Sequence, residues 1–386
     1  MPTVLLVSHH YPPHIGGLGL VVQKQAASLA QNGYQVVVLT SRYGQVRDAD
    51  RGEAGVQVIG VPCSHVLERV FNIPFPLFSP SLIWKAWQQV RRADVVHIHD
   101  VFYLSSWAAG LLAVLFRKPL LVTQHVAMVD HSSGLVTQVQ RLVYATVGRW
   151  LFRAARQVVV YNENVQAFLR SMGVPQQRIL VLANGIDTAA FRPATPEQRG
   201  AIRQRFGLPQ GRSLVLFVGR LVEKKGYQVL LDAQDPAYDL VFVGPGPIPK
   251  HGRVDGVHWL GPLDQAQTAQ LFSACDLFAF PAVGEIFTLV MQEAMAAGLP
   301  VVTTDDPAYR GSIVARCVTL ASRDAASFRE AIARTLRDPD ARARLGAESR
   351  EVAVRYFDWR RNFLALEAVY TQILKDLPHS DSQHTD

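Results

Sequence analysis

Short β-rich runs at 4–8, 35–40, 95–99, 120–123, 158–161 and 179–182 recur through the first half of the chain, separated by longer segments, several with helical periodicity. Alternation of this kind constrains the fold strongly. Parallel strands are joined only by crossovers long enough to hold a helix, and the helices then cover both faces of the sheet. The pattern restarts at 214–219 and continues through 277–280 and 300–303. At 386 residues the chain exceeds the size at which one hydrophobic core keeps growing. The expected fold class is α/β, with two doubly wound parallel-sheet (Rossmann-like) domains whose ligands bind at the carboxyl ends of the strands.

Turn residues concentrate in Asn184-Gly-Ile-Asp187 and Phe191-Arg-Pro-Ala-Thr-Pro196, which places the linker there. The expected division is 1–188 for the first domain and 189–360 for the second. A last helix follows over 361–377, and the polar tail 378–386 is expected to be disordered.

Charge is distributed unevenly. Residues 1–190 hold 16 Lys and Arg against 9 Asp and Glu, while 191–386 hold 23 against 23, so the whole net charge of +7 lies in the first half. That asymmetry points to an anionic partner. Without zinc-finger spacing or aromatic-basic repeats, a lipid surface or lipid pyrophosphate fits better than nucleic acid. Cys63, Cys275 and Cys317 are far apart and lack metal-ligand spacing, which suits free thiols in a reducing cytoplasm. The uncharged run 101–116 is too short to span a bilayer and reads as a buried helix, and no secretory signal is expected before the first strand.

The stretch 281–300 carries the most chemistry. A buried strand at 277–280 feeds a loop holding Glu285, and a helix follows that holds Glu293 and is stopped by Gly298. The amides of Phe287, Thr288 and Leu289, at the positive end of the helix dipole, form an anion site suited to a diphosphate. Two acids on a helix are by themselves more often a solvated face. Here Glu, seven residues, Glu, then Ala-Met-Ala-Ala-Gly-Leu-Pro-Val-Val resembles the signature of retaining GT-B glycosyltransferases, in particular glycosyltransferase family 4.

The resemblance implies a GT-B fold with the site in an interdomain cleft, and a last helix that crosses back to the N-terminal domain. It gives Glu285 the donor sugar and Glu293 the ribose hydroxyls. The family usually reads Glu-Gly-Phe-Gly-Leu where this chain reads Glu285-Ile286-Phe287-Thr288-Leu289. Main-chain approach to a phosphate is therefore altered, and the Thr288 hydroxyl offers a hydrogen bond instead.

Other loops fit the same resemblance. Pro12-Pro-His-Ile-Gly-Gly17 resembles the family loop that faces the donor diphosphate and acceptor, through Gly16 and Gly17; its length and Gly spacing exclude a nicotinamide fingerprint. Thr123-Gln-His125 resembles a Thr-x-His at the active-site floor, which gives His125 a role beside the transferring sugar. His97 and His99 share a strand face, without a third metal ligand nearby, and read as structural or acceptor-side residues. Gly219-Arg-Leu with Lys225-Gly226 resembles the motif whose Arg220 and Lys225 stabilise the leaving diphosphate, and Gly244 resembles a glycine near the nucleotide.

The expected activity is metal-independent transfer of a hexose-type sugar from a nucleoside-diphosphate sugar. The acceptor is a cell-envelope or exopolysaccharide glycan, lipid-linked or free. No cofactor and no metal are expected. An epimerase on the same fold and a non-catalytic sugar-nucleotide scaffold are the rival readings. The enzyme is expected in the cytoplasm, peripheral on the inner face of the membrane, through Arg149, Arg153 and Arg156 on a helix over 141–156 and the apolar loop 71–78.

Overall fold

A computed structural model describes residues 1–14, 17–42, 55–71, 75–128, 134–183, 185–247, 255–283, 288–306, 309 and 312–376. The chain divides into two compact units, Met1–Ala183 with Arg361–Asp386, and Asn184–Arg360. The first division falls before residue 188 because the intervening segment is held by the second unit. The Ile186 N–H donates to the Phe357 carbonyl at 2.8 Å, and the Arg350 guanidinium donates to the carbonyls of Thr188 and Phe191 at 2.8 and 2.7 Å.

The first unit contains β1 (Thr3–Val7), β2 (Gln35–Ser41), β3 (Val56–Val61), β4 (Cys63–Ser64), β5 (Leu77–Phe78), β6 (Val95–His99), β7 (Leu120–Gln124), β8 (Gln157–Val160) and β9 (Ile179–Val181). Seven of them form one parallel sheet in the order β3-β2-β1-β6-β7-β8-β9. β3 is absent from the sequence expectation; it is an edge strand whose apolar run is interrupted by the exposed Gln57 and by Gly60. Side chains alternate across the sheet. Leu5, Val7, Val96, Ile98, Val122 and Val158 pack under the helices Ser81–Arg92, Leu104–Leu115 and Arg149–Ala154. His97, His99 and Thr123 have the opposite parity and are buried on the other face. There the fully buried Tyr370, from the helix Trp359–Lys375, bonds His97 Nδ1 through its hydroxyl at 2.5 Å.

Three local expectations change. The stretch 141–156 is not one helix: an α-helix Gly134–Val143 passes through a π-helical turn, Tyr144–Gly148, into Arg149–Ala154, and Arg156 lies beyond the extended Ala155. Phe152 is buried and belongs to the core rather than to an outer face. The loop 71–78 is partly tied down, since β5 pairs antiparallel with β4 and the Phe75 ring packs on Phe102 and Tyr103; residues 72–74 lie outside the described residues. The uncharged run 101–116 forms the helix Leu104–Leu115, yet only one side of it is buried.

The second unit contains β10 (Ser213–Val218), β11 (Tyr238–Val243), β12 (Val257–Gly261), β13 (Leu277–Phe280), β14 (Val301–Thr304) and β15 (Val318–Ala321), in the order β12-β11-β10-β13-β14-β15. All pairings are parallel. At the amino end, Asp276 accepts from Arg199 and Arg203 at 2.7 and 2.8 Å and from the Leu214 amide at 2.8 Å, so this buried charge is paired and bonded. Strand order reverses at β10 and β13, which makes the carboxyl ends of these two strands the switch point. In the first unit the corresponding strands are β1 and β6.

Candidate functional site

At the switch point of the first unit, aromatic and imidazole rings crowd the strand ends. The loop after β1 is held by Ser41 Oγ donating to the His9 carbonyl at 2.6 Å and Ser8 Oγ donating to the His10 carbonyl at 2.7 Å. His9 stacks on Tyr103 with ring centroids 3.3 Å apart, and His10 on His14 at 3.6 Å. Gly17 opens the helix Gly17–Gln31 and is exposed; Gly16 lies outside the described residues.

His125 follows β7 and is fixed on three sides. Its amide donates to Asp100 Oδ1 at 2.8 Å, its Nε2 shares a proton with His99 Nδ1 at 3.0 Å, and its ring meets Tyr161 edge-on at 4.9 Å. Tyr161 in turn accepts from Gln25 Nε2 at 3.2 Å. Burial lowers the imidazoles of His97 and His125 to about 3, and burial with the neighbouring imidazoles holds His99 well below its ordinary range. These rings are neutral at physiological pH. Asp100 is buried in left-handed backbone at φ 58°, and burial pushes its carboxyl up to about 7. His97 is structural, bonded to Tyr370 and to Thr123 Oγ1 at 2.7 Å, whereas His99 belongs with His125.

In the second unit, Arg220 stands exposed directly after β10, and Lys225 closes the 3₁₀ turn Glu223–Lys225 with its ammonium 5.3 Å above the Phe280 ring. Two glycines seat these loops. Gly226 has φ 75°, and a Cβ there would lie 2.2 Å from the Pro281 carbonyl oxygen; at Gly244, φ 136°, it would lie 2.1 Å from that of Gly219. The turn carrying Lys225 therefore lies directly on the chain leaving β13, and the loops after β10 and β11 touch through backbone.

The helix Leu289–Ala296 begins at that switch point. Thr288 is its N-cap, with Oγ1 accepting from the Met291 amide at 3.4 Å, so the hydroxyl proton is left to donate elsewhere. The amides of Leu289 and Val290 have no intrahelical acceptor and keep the anion-binding character of a helix start. Glu293 is partly buried on the second turn. Glu285 and Phe287 lie outside the described residues.

Several residues here had no motif to mark them. Arg323, just past β15, donates to the Pro281 carbonyl at 3.1 Å and the Glu223 carbonyl at 2.6 Å, clamping the loops after β10 and β13 together. Nothing in Ser-Arg-Asp signals this in sequence. Asp100 and Tyr161 do have a signal, because each directly follows a strand. Among the described residues no group of three or more His, Cys, Asp or Glu is arranged to hold a metal, and no helix is long and apolar enough to cross a membrane.

Residues 15–190 match the Glycosyltransferase Family 4 model, and 198–352 match Glycosyl transferases group 1. A D-inositol 3-phosphate glycosyltransferase of Xylanimonas cellulosilytica is 29% identical, covering 98% of each chain. A glycogen synthase of Mycobacterium tuberculosis is also 29% identical, over 95% of this chain and 94% of its own. Among solved structures, the Anabaena protein HepE in complex with UDP and glucose superposes with a TM-score of 0.75 at 18% identity, covering 96% of this chain and 100% of that one.

Proposed function

The chain belongs to the family 4 and group 1 glycosyltransferases of GT-B fold and uses a nucleotide sugar, and on that premise we propose that it is a retaining, metal-independent hexosyltransferase. One observation carries the reading. Arg220, Lys225 and the start of the Leu289–Ala296 helix gather fixed positive charge around the carboxyl ends of β10 and β13, where a departing diphosphate needs it. Glu293 holds the ribose hydroxyls, Glu285 the donor sugar, and Gly16, Gly17 and Gly244 admit the diphosphate and nucleotide closely. The bond from the anomeric carbon to the diphosphate oxygen breaks while the acceptor oxygen bonds to the same carbon on the same face, and the acceptor proton passes to the departing diphosphate. Neutral His125 orients a sugar hydroxyl beside this centre. Two cations and helix amides supply the charge stabilisation that a divalent ion supplies elsewhere, so the reaction needs neither metal nor cofactor.

The two curated relatives differ in acceptor, one named for an inositol phosphate and one for glycogen, so the acceptor reading rests on this chain's charge. The excess of +7 in residues 1–190 favours a cell-envelope or exopolysaccharide glycan carried on a lipid, met at the anionic inner surface of the membrane by an enzyme of the cytoplasm. Labelled nucleotide sugars test the activity. Nucleotide released only with acceptor supports transfer; isomerised sugar still joined to nucleotide means an epimerase, and binding without turnover means a scaffold. A thermal-shift panel of nucleoside diphosphates identifies the base, since ligand bound to the folded state raises the melting temperature.

A further inference from the structure

On one face of the first sheet, the helix Ser81–Arg92 buries Leu82, Ala86 and Val90, and Leu104–Leu115 buries Ala108, Ala109 and Ala113. The outward rows of such helices are ordinarily polar. Here they are apolar: Ile83, Trp84, Leu111 and Leu115 are 57%, 59%, 59% and 67% exposed. Trp84 stacks on Trp87 with centroids 5.0 Å apart, and the Arg91 guanidinium lies 4.9 Å over the Trp87 ring. The two helices pack side by side, and neither contains an acidic residue. Large apolar side chains exposed on two neighbouring helices mark an interaction face.

Charge identifies what covers it. Helices on this face run back toward the amino end of the sheet, and the crossovers end in Arg91 and Arg92, in Arg117 and Lys118, and in Arg153 and Arg156. Of the acids nearby, Asp94 accepts from the Thr3 amide at 2.8 Å and Asp376 sits 3.5 Å from Arg156. Arg153, Arg156 and Arg178 line a groove of about 730 Å³ at this rim. A second copy docked on this face would bring its own basic rim with it. An anionic bilayer meets both features, taking Trp and Leu into the headgroup boundary and arginines onto the phosphates.

We propose that the outward face of Ser81–Arg92 and Leu104–Leu115, with the basic rim at their ends, docks the protein on anionic lipid bilayers. This rests on the membrane-surface reading above and places the contact on these two helices rather than on the loop 71–78.

Sedimentation with phosphatidylglycerol–phosphatidylcholine vesicles and with phosphatidylcholine alone tests it, comparing the intact protein with Ile83→Ser/Trp84→Ser and Leu111→Ser/Leu115→Ser. All four positions are exposed, so unchanged melting temperatures confirm folding. The expected result is salt-sensitive binding to the anionic vesicles only, weakened about tenfold in each double variant. Intact protein that binds while both double variants bind within twofold of it overturns the placement and leaves the membrane reading standing. Absence of binding by the intact protein overturns both. A dimer in light scattering that either variant dissociates, without vesicle binding, assigns the face to a second copy instead.

Discussion

His99 Nδ1 and His125 Nε2 lie 3.0 Å apart at the carboxyl ends of β6 and β7, and two neutral imidazoles can hold that distance only if one donates its single ring proton to the other. The bond couples the tautomers of the two rings and fixes the orientation of His125. His99→Phe keeps a planar ring and removes the bond. It is expected to lower kcat about tenfold, or roughly 1.4 kcal/mol, with little change in donor affinity. Equal kcat in steady-state assays at saturating donor would show that the pair does not position His125.

Burial lowers His10, His97 and His125 from 6.5 to about 3. Between those values the unfolded chain binds more protons than the folded one, so the stability these rings contribute is present above about 6.5 and is lost as pH falls toward 3. Chemical denaturation at pH 7, 5.5 and 4.5 should show the free energy of unfolding falling in that order. Removing one of these changes with His10→Phe should lessen the slope, and an unchanged slope would mean that the ring titrates normally.

Asp100 works in the opposite sense. Burial raises its folded value from 3.8 to about 7, so the folded chain binds the extra proton in that window and stability is lost as pH rises through 7. Asp100→Asn keeps an acceptor for the His125 amide and removes the charge. Relative to the parent, the variant should be more stable at pH 8 than at pH 5.5, by about 1 kcal/mol or more, read from thermal melts. The same difference at both pH values would place the carboxyl in its ordinary range.

Much of this arrangement was legible in advance, and the exceptions have physical causes. Buried strands such as β1 and β13 carry continuous apolar runs, and Gly298 marks a helix end by local chemistry. β3 was hidden because Gln57 and Gly60 interrupt its short apolar run. Arg220 and Lys225 were visible as a motif, but Arg323 was not: its role comes from two carbonyls distant in sequence, at Glu223 and Pro281. The outward rows of Ser81–Arg92 and Leu104–Leu115 were missed because periodicity marks which residues are apolar without showing which face is covered.

The cation above Phe280 should matter most as the diphosphate departs. Lys225→Ala is expected to reduce kcat at least about tenfold, near 1.4 kcal/mol of transition-state stabilisation, with a smaller effect on donor affinity. Turnover equal to the parent under saturating donor would remove Lys225 from the mechanism.

The two glutamates separate by ligand. Glu293→Gln should weaken binding of free nucleoside diphosphate in calorimetry, whereas Glu285→Gln should leave it nearly intact and impair transfer. The reverse pattern would exchange their roles.

Metal-independent transfer with retention can be read from proton NMR of the first-formed product in the presence of a chelator. Such transfer gives full turnover with the chelator and an anomeric coupling that reports the same configuration as in the donor sugar. A product of opposite configuration, or activity abolished by the chelator and restored by a divalent ion, would contradict it.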